Sequence, residues 1–193
     1  MKRILIAAMA ATLFSSPLQA EHDTPIPAVT MTSLEVESIR PRLRPAVVEA
    51  AAQLDELPRD FKGAEDHFCL AVAIYHEARG EPREGQEAVA SVILQRAFVP
   101  GRWGNTVCEV VRPVAFSFVH EDGGFDPITE PDAWATALEI AMVVMAEGPD
   151  PWLEGADHYH ATHVSPKWSR AMPRVARIGR HIFYADPRSA PTG

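Results

Sequence analysis

An apolar run that ends on a carboxylate and then breaks sharply constrains this 193-residue chain more than any other feature. Residues Phe68-Cys69-Leu70-Ala71-Val72-Ala73-Ile74-Tyr75 read as a buried helix, and His76-Glu77-Ala78-Arg79 extend it by one turn. Gly80 and Pro82 stop it, because glycine ends helices and proline cannot continue one. A second apolar run, Ala88 to Val99, starts just past the break. Glu77 is therefore expected on rigid structure, at the negative end of a helix and beside a tight corner. Low dielectric and the helix C-terminus both disfavour the ionised carboxylate. A glutamate that keeps its proton near neutral pH is suited to general acid catalysis.

The N-terminus reads as a secretory signal peptide over 1–20. Lys2 and Arg3 supply its positive region, Ile4 to Phe14 its apolar core, and Leu18-Gln19-Ala20 a small residue at the cut. The apolar core is too short for a membrane-spanning helix, so no membrane association is expected after cleavage. The formal charge is −8, and losing Lys2 and Arg3 takes it to −10. Such a balance argues against nucleic acid, whose phosphates demand a basic face, and against anionic lipid. An exported chain with two cysteines, Cys69 and Cys108, is expected to carry one disulfide between them. Neither has a base beside it in a recognisable signature, so a catalytic cysteine is not expected.

Residues 21–62 read as a linker or leader with a possible helix at 45–57. The compact domain is placed at 63–185, and a Pro- and Ser-rich tail over 186–193 is expected to be disordered. Within the domain, helices are expected at about 65–79, 84–98 and 131–147, with a short one capped by Asn105. Strands are expected at about 156–163 and 175–184. Helices followed by a small sheet indicate an α+β fold.

Three clusters carry chemistry. Around Glu77 lie Arg79, Glu81 and Glu84. Two carboxylates could form a glycosidase pair, but Glu84 reads as a first-turn acid of the next helix. Glu81 reads as structural, tied to Arg79 by a charge-assisted bond. The second cluster, Ala115-Phe116-Ser117-Phe118 followed by His120-Glu121-Asp122-Gly123-Gly124, suits either the wall of a carbohydrate groove or a core strand ending in a turn. In the third, Asp157 to Trp168, strand geometry sends His158 and His160 to one face and Tyr159 to the other. Three histidines in six residues invite a zinc reading, but His76-Glu77 lacks the second histidine of an HExxH motif and no ligand set is complete. No metal or other cofactor is assigned.

The string Cys69 to Arg96, with Glu77-Ala78-Arg79-Gly80-Glu81 at its centre, resembles the signature of cell-wall hydrolases of the spore cortex-lytic type (SleB/CwlJ-like). Four further pieces agree in order: Ala115–Phe118, His158–Ala161, Val164–Trp168 and Ile178–Tyr184. The resemblance covers about 69–185. It departs at Gln95, where the family commonly has Asn, and no separate peptidoglycan-binding repeat is seen. It implies a lysozyme-like, mainly helical α+β domain with a small antiparallel sheet, acting on peptidoglycan glycan strands as a muramidase or lytic transglycosylase. The catalytic acid of the motif falls on Glu77. On that reading Ser117, His158, Tyr159 and His160 orient sugars, and Phe116 and Trp168 stack on them. The expected protein is a monomer in the periplasm or cell-wall space. A zinc-dependent wall amidase or peptidase and a non-catalytic wall-binding module are the rival readings.

Overall fold

The computed structural model describes residues 53–99 and 102–189, together with residue 49. The expected signal peptide and most of the leader helix lie outside those residues.

The centre of the fold is helix α1, Asp66–Ala78. Cys69 through Tyr75 are each at most 1% exposed. A helix apolar on every side must be wrapped on every side, and here it is. Helix α2 (Arg83–Ala97), the single turn α3 (Val107–Val110) and helix α4 (Pro131–Glu147) pack around it. Pro131 opens α4 at the position where a missing N–H costs nothing. Trp134, fully buried on α4, meets Phe68 and Tyr75 edge-on at 5.8 and 6.3 Å. The Tyr75 hydroxyl accepts the backbone N–H groups of Thr129 and Glu130 at 3.0 and 3.1 Å, which anchors the entry to α4 beside the end of α1.

The disulfide is present: Cys69 of α1 is bonded to Cys108 of α3, with Cα atoms 5.2 Å apart. It joins two elements that also meet through Asp66, whose carboxylate accepts the Cys108 N–H at 3.0 Å.

Three antiparallel strands follow, β1 (Ala156–Ala161), β2 (Arg174–Ile178) and β3 (His181–Ala185), in the order β1-β3-β2. The mainly helical α+β class expected from the sequence is the observed one. The single strand expected at 175–184 is instead a hairpin. Gly179, at φ +55°, turns the chain where a Cβ would run into the Glu81 carboxylate, so only glycine fits. The short helix is capped by the Thr106 hydroxyl, which accepts the Glu109 N–H at 3.2 Å; Asn105 instead donates its N–H to the Glu109 side chain.

Two boundaries also differ. Phe61 stacks on Phe125 at 4.8 Å, and Asp60 bridges to Gly124, so packing starts before residue 63. At the other end Asp186 is 3% exposed, and Pro187–Ser189 form a 3₁₀ turn. The Asp186 carboxylate accepts Arg102 and Arg188, each at 2.6 Å. Those charge-assisted bonds order the first four residues of the stretch expected to be disordered.

Candidate active site

Glu77 sits on the last turn of α1, half-buried at the corner that leads into α2. The hydroxyl of Tyr159, on β1, donates to its Oε2 at 3.0 Å. Tyr159 reaches it because β1 turns one face towards the helices. On that face Tyr159 packs against Phe183 and His181 of β3, at 5.8 and 5.4 Å. Burial raises the Glu77 carboxyl above the ordinary range, and the Tyr159 bond and the Arg96 charge only partly oppose this. Burial also pushes the Tyr159 phenol well up, reinforced by the Glu77 charge, so it stays a proton donor.

Arg96, 7% exposed near the end of α2, is a site residue whose role sequence reasoning missed. Its Nε donates to the Asp157 carbonyl at 2.8 Å. Its guanidinium lies 4.6 Å from the centre of the Trp103 ring, 5.8 Å from Phe116 and 5.9 Å from Tyr159. A planar cation fits such an aromatic setting, where lysine would not stack. The available signal was an arginine placed just past the mostly apolar stretch 88–94.

The corner is tied differently from the expected Arg79–Glu81 bond. Arg79 instead reaches Glu130 at 2.8 Å and lies over the Tyr75 ring at 4.8 Å. Glu81 turns to the hairpin, where Oε1 accepts Arg180 Nε at 2.6 Å and Oε2 accepts the Arg180 N–H at 2.7 Å. Burial pushes the Glu81 carboxyl up, but these Arg180 bonds outweigh it and hold the group low. Glu81 is thus a structural acceptor joining the α1–α2 corner to the β2–β3 turn. Glu84 stands exposed in the first turn of α2. Beside Glu77, His76 stacks on Phe118 at 4.6 Å, and burial holds its imidazole below the usual range and so uncharged.

The other sequence-derived candidates fall elsewhere. Phe116 is 2% exposed, packed against Phe118 and near Arg96; it is a core residue and offers no face to a sugar. The segment around it forms turns rather than a strand, and Ser117 is exposed there. His158 and His160 point away from Tyr159, as strand alternation requires. They share the outer sheet face with Tyr184 and Trp168, which lies 5.2 Å from His158, 5.5 Å from His160 and 5.4 Å from Tyr184. Both ring nitrogens of His160 are engaged, one by the Ala161 carbonyl and one by the Tyr184 hydroxyl.

Among the described residues, Asp157, His158 and Asp186 come close enough together to suggest metal ligation. Their carboxylates already serve protein donors: Asp157 takes His158, Ser189 and the Asp186 N–H, and Asp186 takes the two arginines. A cleft of about 330 Å³ at the C-terminal end of α4 is lined by Glu87, Ser91, Val143, Glu147 and Pro149–Pro151, none of them a candidate site residue.

A half-buried carboxyl thus stands on a rigid corner, bonded to a phenol and within reach of the charge of Arg96. The chain belongs to the Cell Wall Hydrolase family, whose model matches residues 80–184. It is similar to the spore cortex-lytic enzyme of Bacillus subtilis (strain 168), with 40% identity over 119 residues, covering 61% of this chain and 37% of that protein. The spore cortex-lytic enzyme of Halalkalibacterium halodurans is 36% identical over 118 residues, covering 61% of this chain and 34% of the relative. The chain therefore spans just over a third of the length of these curated relatives. Among solved structures, the catalytic domain of Bacillus cereus SleB matches with a TM-score of 0.50 and 35% identity, over 62% of this chain and 88% of that one. The catalytic domain of the germination-specific lytic transglycosylase SleB of Bacillus anthracis matches with the same score and identity, over 62% and 93%. The fold is of their lysozyme-like kind.

Proposed function

We propose that this domain cleaves peptidoglycan glycan strands at the bond between N-acetylmuramic acid and N-acetylglucosamine, with Glu77 as the acid and then the base. The observation that carries the reading is the Glu77 carboxyl, half-buried, raised by that burial and bonded through Oε2 to Tyr159. The raised value means that the acid still holds a proton where a free glutamate has lost it. With Oε2 engaged, Oε1 is left to meet the glycosidic oxygen. Protonation there lets the C1–O bond break through an oxocarbenium-like centre. Arg96 and Tyr159 then face the carboxylate that forms.

A single carboxylate supports transglycosylation over hydrolysis through a carboxylate pair. Both oxygens of Glu81 are committed to Arg180, and Glu84 is exposed on α2. In the transglycosylase sequence the C6 hydroxyl of the muramoyl residue attacks C1 and returns its proton to Glu77, so one group serves both steps. The likeness to SleB catalytic domains supports the same choice.

Ser117, exposed on its turn, is proposed to contact sugar. The substrate places the action outside the cytoplasm, in keeping with a signal peptide at 1–20. The catalytic unit is proposed to act as a monomer. Mass spectrometry of sacculi digested by the purified protein tests the reading. Anhydro-muramoyl ends are expected. Reducing ends would show that water is admitted instead, and the absence of any glycan cleavage would refute the assignment.

A further inference from the structure

The net negative charge of the chain conceals a sharp division. Residues 53–165 hold 20 acidic and 7 basic residues, a balance of −13. Residues 166–189 hold one acid, Asp186, and six bases, a balance of +5. Two of those bases are committed: Arg180 to Glu81 and Arg188 to Asp186. Lys167, Arg170, Arg174 and Arg177 are exposed and make no ion pair among the described residues.

The register of the sheet gathers them. In β2, Arg174 pairs with Tyr184 and Arg177 with Ile182, and an irregularity lies between Arg174 and Ala176. Without it, residues 174 and 177 would point to opposite faces. With it, both stand on the face of Tyr184 and Ile182, opposite the Tyr159 face. Lys167 and Arg170 bracket the 3₁₀ turn that lays Trp168 over the same face. The result is an exposed basic rim around the aromatic group of Trp168, His160 and Tyr184, on a protein otherwise strongly acidic.

We propose that this outer sheet face docks the carboxylate-bearing peptide stems of peptidoglycan, while Glu77 works on the other side of the sheet. The inference rests on the glycan-cleaving reading for the identity of the substrate. Exposed arginines on an edge strand, with no ion pair among the described residues, can donate bidentately to carboxylates. An acidic body is repelled by a polyanionic wall, so a basic face would orient the domain and raise its encounter rate. Free stem carboxylates present this charge at regular intervals along the strand, which suits a face that carries several cations rather than one deep pocket.

The test uses the full chain with Glu77→Gln, so that sacculi survive the measurement, with and without Arg174→Gln and Arg177→Gln. Both arginines are exposed, and a thermal melt checks that the fold is kept. Binding to purified sacculi should weaken about tenfold in the arginine double variant. The parent should lose affinity with rising salt more steeply than the variant. Sacculi whose carboxylates have been amidated should bind the parent as weakly as native sacculi bind the variant. Equal binding by parent and variant, or undiminished binding to amidated sacculi, overturns the proposal. So does arginine-dependent binding to anionic phospholipid vesicles that exceeds binding to sacculi, which would make the face a membrane contact. Arginine-dependent self-association in sedimentation would likewise overturn it, since the acidic body of a second copy would then be the occupant. If the chain with its native Glu77 produces no glycan fragments while the docking results hold, the cleavage reading fails and the docking face stands.

Discussion

Tyr159 and Glu77, 82 residues apart in the chain, meet through a 3.0 Å hydrogen bond from the phenol to Oε2. The bond favours the ionised carboxylate and so works against burial, which favours the neutral one. Tyr159→Phe removes only the restraint and the stabilisation of the anion. Turnover on sacculi is expected to fall about tenfold to a hundredfold through lost orientation. The carboxyl, freed from a partner that lowers it, should rise further, and the alkaline limb of the kcat profile should move to higher pH. An unchanged limb would show that Tyr159 does not act on Glu77.

Glu77→Gln removes the transferable proton at nearly constant shape. Activity should drop at least about a hundredfold, measured as soluble fragments released from sacculi. Stability should move the other way. The folded carboxyl is raised, so its contribution is fully present at pH values below the unfolded value and is lost as pH rises through the raised folded value. Thermal melts should therefore find the Gln variant gaining on the parent between acid and mildly alkaline pH. A difference that does not vary with pH would contradict the raised carboxyl.

Glu81→Gln should break the link between the α1–α2 corner and the β2–β3 turn. A buried acceptor of charged donors is worth about 1.5–3 kcal/mol. Arg180 is mostly exposed, so a loss of about 1–2 kcal/mol is expected in urea unfolding at neutral pH. Here the folded carboxyl is depressed. Its stabilisation is present above the unfolded value and disappears as pH falls through the lower folded one. The gap between parent and variant should accordingly close in acid.

The Cys69–Cys108 bond spans 39 positions. On a chain-entropy model, a closed loop of that size stabilises by roughly 3–4 kcal/mol. Protein purified from the exported fraction should show no free thiol until unfolded and reduced. The double variant Cys69→Ala, Cys108→Ala should lose about that much in urea unfolding.

Much of this was readable in the linear chain because the signals were local. The apolar helix over 66–78, its break at Gly80 and Pro82, and the proline that opens α4 follow from side-chain polarity and backbone restriction within a few residues. The same holds for the strand alternation that sends Tyr159 one way and His158 and His160 the other. The placement of Glu77 at the helix corner was legible for the same local reason.

The partners of those residues were a different matter. Nothing local distinguishes Arg180 from Arg79 as the mate of Glu81, because the choice depends on a hairpin turn returning 99 residues later. Phe116 looked like a platform for sugar and is core, since its burial was settled by what packs over it. Arg96 looked like the end of a helix and is a buried cation held by an aromatic ring and a strand carbonyl. The exposed basic face depends on one irregularity in a strand register. Residue types and their periodicity set which elements form and which faces they bury. Which charged groups end up paired, buried or free was decided only by tertiary packing, because burial and Coulombic pairing depend on distances through space that sequence spacing does not encode.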